Sequence, residues 1–264
     1  MSAPEPQFLK RKENGDEYRL ALRKRAGRAP AVVWLGGFRS DMLATKASAL
    51  DDWAARSGHA FVRFDYTGHG ESEGDFEKCC ISTWLADSLA VIEAEAGEAP
   101  VLVGSSMGGW LALLANRALR AKGSPAAPGG LVLIAPAVDF TERLMWDVMP
   151  EAVRDEIMRE GRYLQPSQYS PEPYAITRLL IEDGRNHLML GSPIATGCPV
   201  HILQGMQDPD VPWQHAMELV EHLPGDETVI TLVKDGDHRL SRPQDLDLLV
   251  SAVEGLVTQQ VSGR

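Results

Sequence analysis

The sequence predicts an α/β fold in which a mostly parallel central sheet is flanked by helices on both faces. Apolar runs of strand length alternate with segments of helix length over most of the chain, a pattern typical of parallel strands joined by crossover helices. The chain has 264 residues, of which 44% are hydrophobic, so it can bury one substantial core. We therefore expect residues 1–264 to form a single domain with one insertion at about residues 139–190.

Seven apolar runs of strand length are the predicted strands, and the longer segments between them are the predicted helices. No internal repeat or low-complexity tract interrupts the alternation. In chain order, the predicted strands are residues 18–22, 31–35, 60–65, 101–104, 131–135, 200–204 and 228–233. The predicted helices are residues 44–56, 82–96, 107–121 and 213–222, and a helix over 245–257 closes the chain.

The insertion at 139–190 contains no clear strand, and we predict helical stretches such as 141–160 followed by a proline-rich turn at 166–173. The segment is more apolar than a lone exposed helix usually is. It therefore either packs on the sheet domain or forms a cap whose apolar wall lines a substrate pocket. The apolar residues are Leu144, Met145, Trp146, Val148, Met149 and Val153, of which Leu144, Trp146 and Met149 are the candidate substrate-binding residues.

A serine at the centre of a Gly-x-Ser-x-Gly pattern, Ser106, is the candidate nucleophile. The pattern spans residues 104–108, directly after the apolar run 100–103 and directly before the predicted helix 107–121. A strand, a sharp turn and a helix are the context that a nucleophile elbow needs, because the turn holds the serine in a strained backbone conformation. Ser105 lacks the flanking glycines, so we assign the role to Ser106.

A serine hydroxyl needs a base, and the base needs a carboxylate that orients it. Asp208 and His238 follow the predicted strands 200–204 and 228–233, so we expect both at the same edge of the sheet as Ser106. Asp210 lies in the same loop as Asp208 and competes with it for the role of the acid. Three other histidines, His69, His201 and His215, are candidates for positions near the site. None of them lies in the loop after the last predicted strand of the sheet.

Backbone N–H groups are the predicted donors to the oxyanion of a tetrahedral intermediate. The amide of Met107 directly follows the nucleophile, and the amide of Phe38 lies after the predicted strand 31–35, where Gly36 and Gly37 allow a sharp turn. This hydrogen-bonding arrangement requires no metal ion and no organic cofactor, so we predict none.

The composition argues against several other classes of protein. The net charge is −11, which opposes binding to nucleic acid or to an anionic membrane. The cysteines Cys79, Cys80 and Cys198 lack the spacing of a zinc site or a disulfide framework. The glycine-rich loop 65–72 lacks the Lys-Ser/Thr ending of a phosphate-binding loop. No apolar run is long enough to span a membrane, and the polar N-terminus lacks a signal-peptide or transit-peptide pattern, so we predict a cytoplasmic protein.

Together these motifs resemble the α/β-hydrolase superfamily, including Asp-x-x-Gly-x-Gly-x-Ser at 65–72 and Gly-x-x-Asp-x-x-Val at 205–211. The resemblance narrows to the α/β-hydrolase-domain family of acyl-protein thioesterases and mycophenolic acid acyl-glucuronide esterases, and it runs from about residue 36 to residue 250. The segments that carry it are residues 37–42, 46–47, 63–66, 103–110, 192–194, 211–213 and 237–239.

The resemblance implies a serine hydrolase with Ser106, Asp208 and His238 as its triad and Asp208 as the acid. Its substrates would be small molecules or acylated proteins that carry an acyl thioester or an activated ester. Two alternatives within the same fold are a carboxylesterase for small esters and a hydrolase of C–C bonds in ring-cleavage products. A non-catalytic binding member of the superfamily usually lacks a triad residue, whereas all three are present here.

Overall fold

Eight strands form the central sheet in the computed structural model, which describes residues 5–13, 16–166, 173–225 and 227–262. Two further strands, β7 and β8, form a separate small sheet. In chain order the strands are β1 (Gln7–Glu13), β2 (Asp16–Arg25), β3 (Arg28–Leu35), β4 (His59–Phe64), β5 (Val101–Ser105), β6 (Gly130–Ile134), β7 (Arg162–Gln165), β8 (Tyr174–Thr177), β9 (Val200–Gly205) and β10 (Thr228–Val233).

The strand order across the central sheet is β1-β2-β4-β3-β5-β6-β9-β10. Strand β2 pairs antiparallel with both β1 and β4, and the other neighbouring strands are parallel. Because the carboxyl ends of parallel strands lie at one edge, the loops after β3, β5, β9 and β10 meet there. All seven predicted strands are present, and this edge is where the candidate site residues were expected.

Helices cover both faces of the sheet, as predicted. In the described residues, one apolar layer contains side chains of the helices over residues 45–57 and 243–262, and the other contains side chains of the helices over residues 81–95, 107–121 and 213–221. None of these helices combines the length and the apolar character that a membrane crossing needs. The α-helices are α1 (Thr45–Ser57), α2 (Ile81–Glu95), α3 (Met107–Ala121), α4 (Glu151–Glu160), α5 (Arg178–Gly184), α6 (Trp213–Glu221) and α7 (Pro243–Ser262).

The strand β1 was not predicted from the sequence. Its sequence, QFLKRKE, has no continuous apolar run, and it lies at the edge of the sheet. A nearly buried ion pair joins it to the fold: Arg11 lies 2.6 Å from Asp87 of α2. The same Asp87 carboxylate accepts a hydrogen bond from the backbone N–H of Thr67 at 2.8 Å. Contacts from elsewhere in the fold therefore stabilise this strand, which its local pattern does not indicate.

The prediction that the segment between β6 and β9 contains no strand is wrong, because β7 and β8 pair antiparallel there. The predicted helical stretch 141–160 is also not continuous. It consists of a π-helical turn (Thr141–Met145), a 3-10 turn (Trp146–Val148) and α4. The break occurs at Met149, whose extended backbone precedes Pro150, and a residue before proline disfavours helix. Of the predicted turn 166–173, residues 167–172 lie outside the described residues.

A cluster of three polar side chains joins the inserted segment to the sheet domain. Ser82, at the start of α2, donates its hydroxyl to Asp183 of α5 at 2.7 Å, and its backbone N–H bonds to the same carboxylate at 2.8 Å. The ring nitrogen Nε2 of His187 lies 2.7 Å from the Ser82 hydroxyl oxygen. Because Asp183 contacts the serine rather than Nδ1 of the histidine, this cluster connects two parts of the fold and is not arranged as a catalytic triad.

Candidate functional site

The turn between β5 and α3 has the geometry of a nucleophile elbow. Ser106 adopts φ 55° and ψ −118°, a strained conformation for a residue that carries a side chain. Ser106 is partly exposed, whereas Ser105 is the last residue of β5 and is buried. A Cβ atom at Gly104 would lie 2.2 Å from the carbonyl oxygen of Gly108. Tight backbone packing around Ser106 therefore requires glycine two residues before it.

Gly108 is under the same constraint, and we expect Gly108→Ala to destabilise the fold strongly. The added Cβ would lie 2.1 Å from the carbonyl oxygen of Leu35, so the backbone of β3 or α3 would have to move. We expect a loss of about 3 kcal/mol or more in the free energy of unfolding, which corresponds to a melting temperature lower by roughly 6–12 °C. Thermal unfolding followed by circular dichroism measures this change.

Gly255→Ala is the matched control, because a Cβ at this position in α7 has no neighbouring atom within 4 Å. Replacing glycine inside a helix by alanine is expected to leave the stability unchanged or to raise it by up to about 1 kcal/mol. Similar melting temperatures for the two variants would show that the backbone around Gly108 is not tightly packed.

The structure brings Ser106, Asp208 and His238 together from three separate loops. Nε2 of His238 lies 3.2 Å from Oγ of Ser106, and Nδ1 of His238 lies 2.8 Å from Oδ2 of Asp208. In a neutral imidazole with its proton on Nδ1, that N–H donates to the carboxylate and Nε2 accepts from the serine hydroxyl. The arrangement can therefore remove a proton from Ser106.

The two candidate acids in the loop after β9 are placed differently. Oδ2 of Asp208 faces His238, while Oδ1 accepts the backbone N–H groups of Asp210 and Val211, each at 2.9 Å. The side chain of Asp208 has no exposed surface, whereas Asp210 is partly exposed. The geometry thus favours Asp208 over Asp210 as the carboxylate that orients the imidazole.

Asp208, Asp210 and His238 also lie close enough to be considered as metal ligands, since one ligand atom of each falls within 4.8 Å of the others. The contacts of Asp208 do not fit that use. Its Oδ2 is hydrogen-bonded to His238, and its Oδ1 accepts two backbone N–H groups. A metal ion would have to replace these hydrogen bonds, so we assign no metal ion to these three residues. That the protein needs no cofactor stays a prediction.

The loop after β3 lies against the nucleophile. A Cβ placed on Gly37 would be 3.5 Å from Cβ of Ser106, so the backbone before Phe38 runs directly beside the candidate catalytic serine. Met107 follows Ser106 at the start of α3. The two predicted oxyanion donors, the amides of Phe38 and Met107, are therefore on backbone segments that adjoin Ser106.

Two buried polar residues hold this loop, and their roles were not predicted from the sequence. Oδ1 of Asp65 accepts the backbone N–H of Met42 at 2.7 Å, and Oδ2 accepts that of Glu71 at 2.9 Å. Burial raises the pKa of Asp65 to about 6. Nε2 of His69 accepts the N–H of Arg39 at 3.1 Å, and burial lowers the pKa of His69 to about 4. A neutral His69 can accept this bond, which a protonated ring cannot.

Aromatic side chains surround Phe38 and connect the loop to the inserted segment. The Phe38 ring lies 5.7 Å from that of Phe140 and 5.9 Å from that of Tyr174, measured between ring centroids. Tyr174 belongs to β8, so the small sheet of the insertion packs next to the loop that adjoins Ser106. The candidate substrate-binding residues predicted from the sequence did not include these aromatic side chains.

The three candidate residues of the cap have different surroundings. Leu144 packs against the main core, whereas Trp146 and Met149 pack on a small cluster inside the insertion, formed by Ile157, Ile176 and Ile181. Trp146 is also covered by the guanidinium of Arg185, whose central carbon is 4.9 Å from the ring centroid. These contacts show what holds the insertion together, and the substrate-binding role of the three residues stays a prediction.

Comparisons with known proteins agree with this fold. The model of the alpha/beta hydrolase family matches residues 32–248. The mouse protein named palmitoyl-protein thioesterase ABHD10, mitochondrial, is 34% identical to the chain, with 95% of this chain and 82% of the relative covered.

Two solved structures are also similar to the chain. A crystal structure of a protein from Agrobacterium vitis S4 has 48% identity and a TM-score of 0.92, and 96% of this chain and 98% of that chain are covered. Alpha/beta hydrolase domain-containing protein 10 from mouse has 32% identity and a TM-score of 0.86, with 97% and 99% covered. On the match over 217 residues (32–248) and the identity to these relatives, the chain belongs to the alpha/beta hydrolase family.

Proposed function

We propose that this chain is a serine hydrolase that cleaves acyl thioesters or carboxylic esters through an acyl-enzyme on Ser106. The observation that carries the proposal is the chain of hydrogen bonds from Ser106 through His238 to the buried Asp208. Oγ of Ser106 lies 3.2 Å from Nε2 of His238, and Nδ1 of His238 lies 2.8 Å from Oδ2 of Asp208. A partly exposed serine at a strained turn, beside a base that a carboxylate orients, is the arrangement that activates a hydroxyl for attack on a carbonyl carbon.

The proposed reaction has two stages. Oγ of Ser106 attacks the acyl carbon while its proton passes to Nε2 of His238, and the amides of Phe38 and Met107 donate to the oxyanion. The intermediate collapses to the acyl-enzyme, and the leaving thiol or alcohol takes the proton from His238. Water then attacks the acyl carbon with His238 as the base, which releases the carboxylic acid and restores the Ser106 hydroxyl.

The relatives support a long acyl chain as part of the substrate. The mouse protein is named a palmitoyl-protein thioesterase, and the rings of Phe38, buried Phe140 and Tyr174 pack together beside the nucleophile loop in this chain. We propose that the acyl chain contacts the partly exposed rings of this cluster and the wall formed by Leu144, Trp146 and Met149. The substrate would be an acylated protein or a small acyl thioester or ester, including an acyl glucuronide.

Matched thioesters and oxyesters from acetyl to palmitoyl test this function. Each methylene buried in an apolar pocket contributes about 0.8 kcal/mol, so kcat/KM is expected to rise roughly fourfold per methylene until the pocket is full. Trp146→Gln is expected to flatten this rise and to leave the rate on the acetyl substrate nearly unchanged. Rates that are highest for acetyl esters would favour the small-ester carboxylesterase, and cleavage of a diketone alone would favour the C–C bond hydrolase.

The cellular location is a separate matter from the reaction. The expectation from the sequence is a cytoplasmic protein, whereas the mammalian relatives are named mitochondrial. We propose the cytoplasm for this chain, and fractionation of cells that express the full chain, with the protein detected by antibody, tests the proposal. Recovery in an organelle fraction would contradict it.

A further inference from the structure

Lys46 lies in neither the triad nor the oxyanion loop, yet it contacts the loop that carries His238. It is the second residue of α1, and its ammonium group donates a hydrogen bond to the backbone carbonyl oxygen of Arg239. Arg239 directly follows His238 in the chain. The contact therefore joins the helix that follows the loop of Phe38 to the backbone of the candidate base.

A second contact holds the same loop on the other side of His238. The backbone N–H of Gln207 donates to the carbonyl oxygen of Gly236 at 2.8 Å, so the loop of Asp208 holds the residues just before the histidine. Asp237 accepts the backbone N–H of Leu240 within the loop at 3.0 Å. Lys46 thus fixes the backbone on the carboxyl side of His238, and Gln207 fixes it on the amino side.

Charged groups surround the ammonium group of Lys46. The carboxylates of Asp208, Asp237 and Asp245 attract it, and the guanidinium of Arg239 repels it. Burial among protein atoms outweighs the attraction and lowers the pKa of Lys46 to about 8. At neutral pH the group is therefore charged, and its hydrogen bond to the Arg239 carbonyl oxygen is charge-assisted.

We propose that Lys46 is a positioning residue for His238, which sets the geometry of its loop through the Arg239 carbonyl and so holds the imidazole beside Ser106. The role rests on the proposed function, because it requires His238 to act on Ser106. Lys46 does not touch the substrate in this role. It acts on the rate of the reaction steps and has little effect on substrate binding.

Lys46→Met tests the positioning role, with Lys46→Arg as the conservative variant and Lys234→Met as the matched control. Lys234 is an exposed lysine of the same loop, so its replacement removes the same charge without removing the bond to Arg239. We expect Lys46→Met to lower kcat about 10- to 100-fold on the best acyl substrate with KM nearly unchanged, because small displacements of a catalytic group have effects of this size. Lys46→Arg is expected to recover most of kcat.

The NMR signal of the Nδ1 proton of His238, which lies in the hydrogen bond to Asp208, gives a readout that does not depend on hydrolysis. A shifted or lost signal in Lys46→Met, with the native signal kept in Lys234→Met, supports the proposal even where the substrate panel shows no hydrolysis. Identical signals and identical kcat in Lys46→Met and Lys234→Met would overturn it. Equal losses in Lys46→Met and Lys46→Arg with lower melting temperatures in both would also overturn it. If Lys46→Met does not fold, Lys46→Gln, which keeps a donor without the charge, takes its place in each measurement.

Discussion

Ser106→Ala is expected to lower kcat for acyl substrates roughly 10⁴- to 10⁶-fold, because no other group replaces the attacking oxygen. The fold should remain intact, since the hydroxyl points to its partner His238 and the side chain is partly exposed. Alanine also keeps the Cβ that the strained backbone already accommodates at φ 55°. Steady-state kinetics and thermal unfolding on the same preparation measure the two expectations.

Covalent labelling with a fluorophosphonate identifies the nucleophile independently of any natural substrate. The native chain should take up one label, located on Ser106 by peptide mass spectrometry, and Ser106→Ala should take up none. Ser105→Ala is the matched control, because Ser105 is the neighbouring serine and is buried at the end of β5. It should keep the label and most of the activity. A label that persists in Ser106→Ala would assign the nucleophile to another residue.

The three candidate site residues, which the structure brings together, could be selected from the sequence because their signals are local. Ser106 is marked by glycines two positions away on either side, and a Cβ at either glycine would collide with backbone. Asp208 and His238 each follow an apolar strand, so the rule that loops at the carboxyl ends of parallel strands meet at one edge brought them together. The choice of Asp208 over Asp210 needed the spacing of the acid loop in the family that the chain resembles. Nothing in the local sequence indicates that Oδ2 of Asp208 faces the imidazole.

What the sequence did not predict depends on contacts between distant residues. The strand β1 is joined to the fold by Arg11 and Asp87, which are 76 positions apart. The roles of Asp65 and His69 follow from backbone N–H groups of the loop after β3, 23 and 30 positions away in the chain. Lys46 and Arg239 are 193 positions apart. No local periodicity or motif indicates contacts of this kind.

The strands of the inserted segment were missed for a different reason. β7 and β8 have four residues each, and within the part of the chain that the structure describes they pair only with each other. Four residues are too few to establish an alternating pattern. Ile176 of β8 forms a small cluster with Ile157 and Ile181, and Tyr163 of β7 and Tyr174 of β8 pack against it. The sequence does not distinguish these apolar positions from a helical stripe. The insertion therefore has its own core, which the prediction of a purely helical segment did not include.

Asp208→Asn is expected to lower kcat about 10⁴-fold, whereas Asp210→Asn should lower it less than about tenfold. In Asp208→Asn, the backbone N–H groups of Asp210 and Val211, which now donate to Oδ1 at 2.9 Å, require an acceptor at that position. The amide oxygen is therefore expected to lie there, and the amide nitrogen to face Nδ1 of His238. A donor facing Nδ1 favours the tautomer with its proton on Nε2, which cannot accept the proton of Ser106.

The comparison of the two variants decides which carboxylate orients the base. Both substitutions remove one negative charge from the same loop, so a general electrostatic effect would lower kcat similarly in both. A loss confined to Asp208→Asn assigns the orienting role to Asp208, whose Oδ2 lies 2.8 Å from Nδ1 of His238. A larger loss in Asp210→Asn would assign the role to Asp210 instead. Fluorophosphonate labelling should slow in parallel with kcat, because phosphonylation of Ser106 needs the same proton transfer to His238.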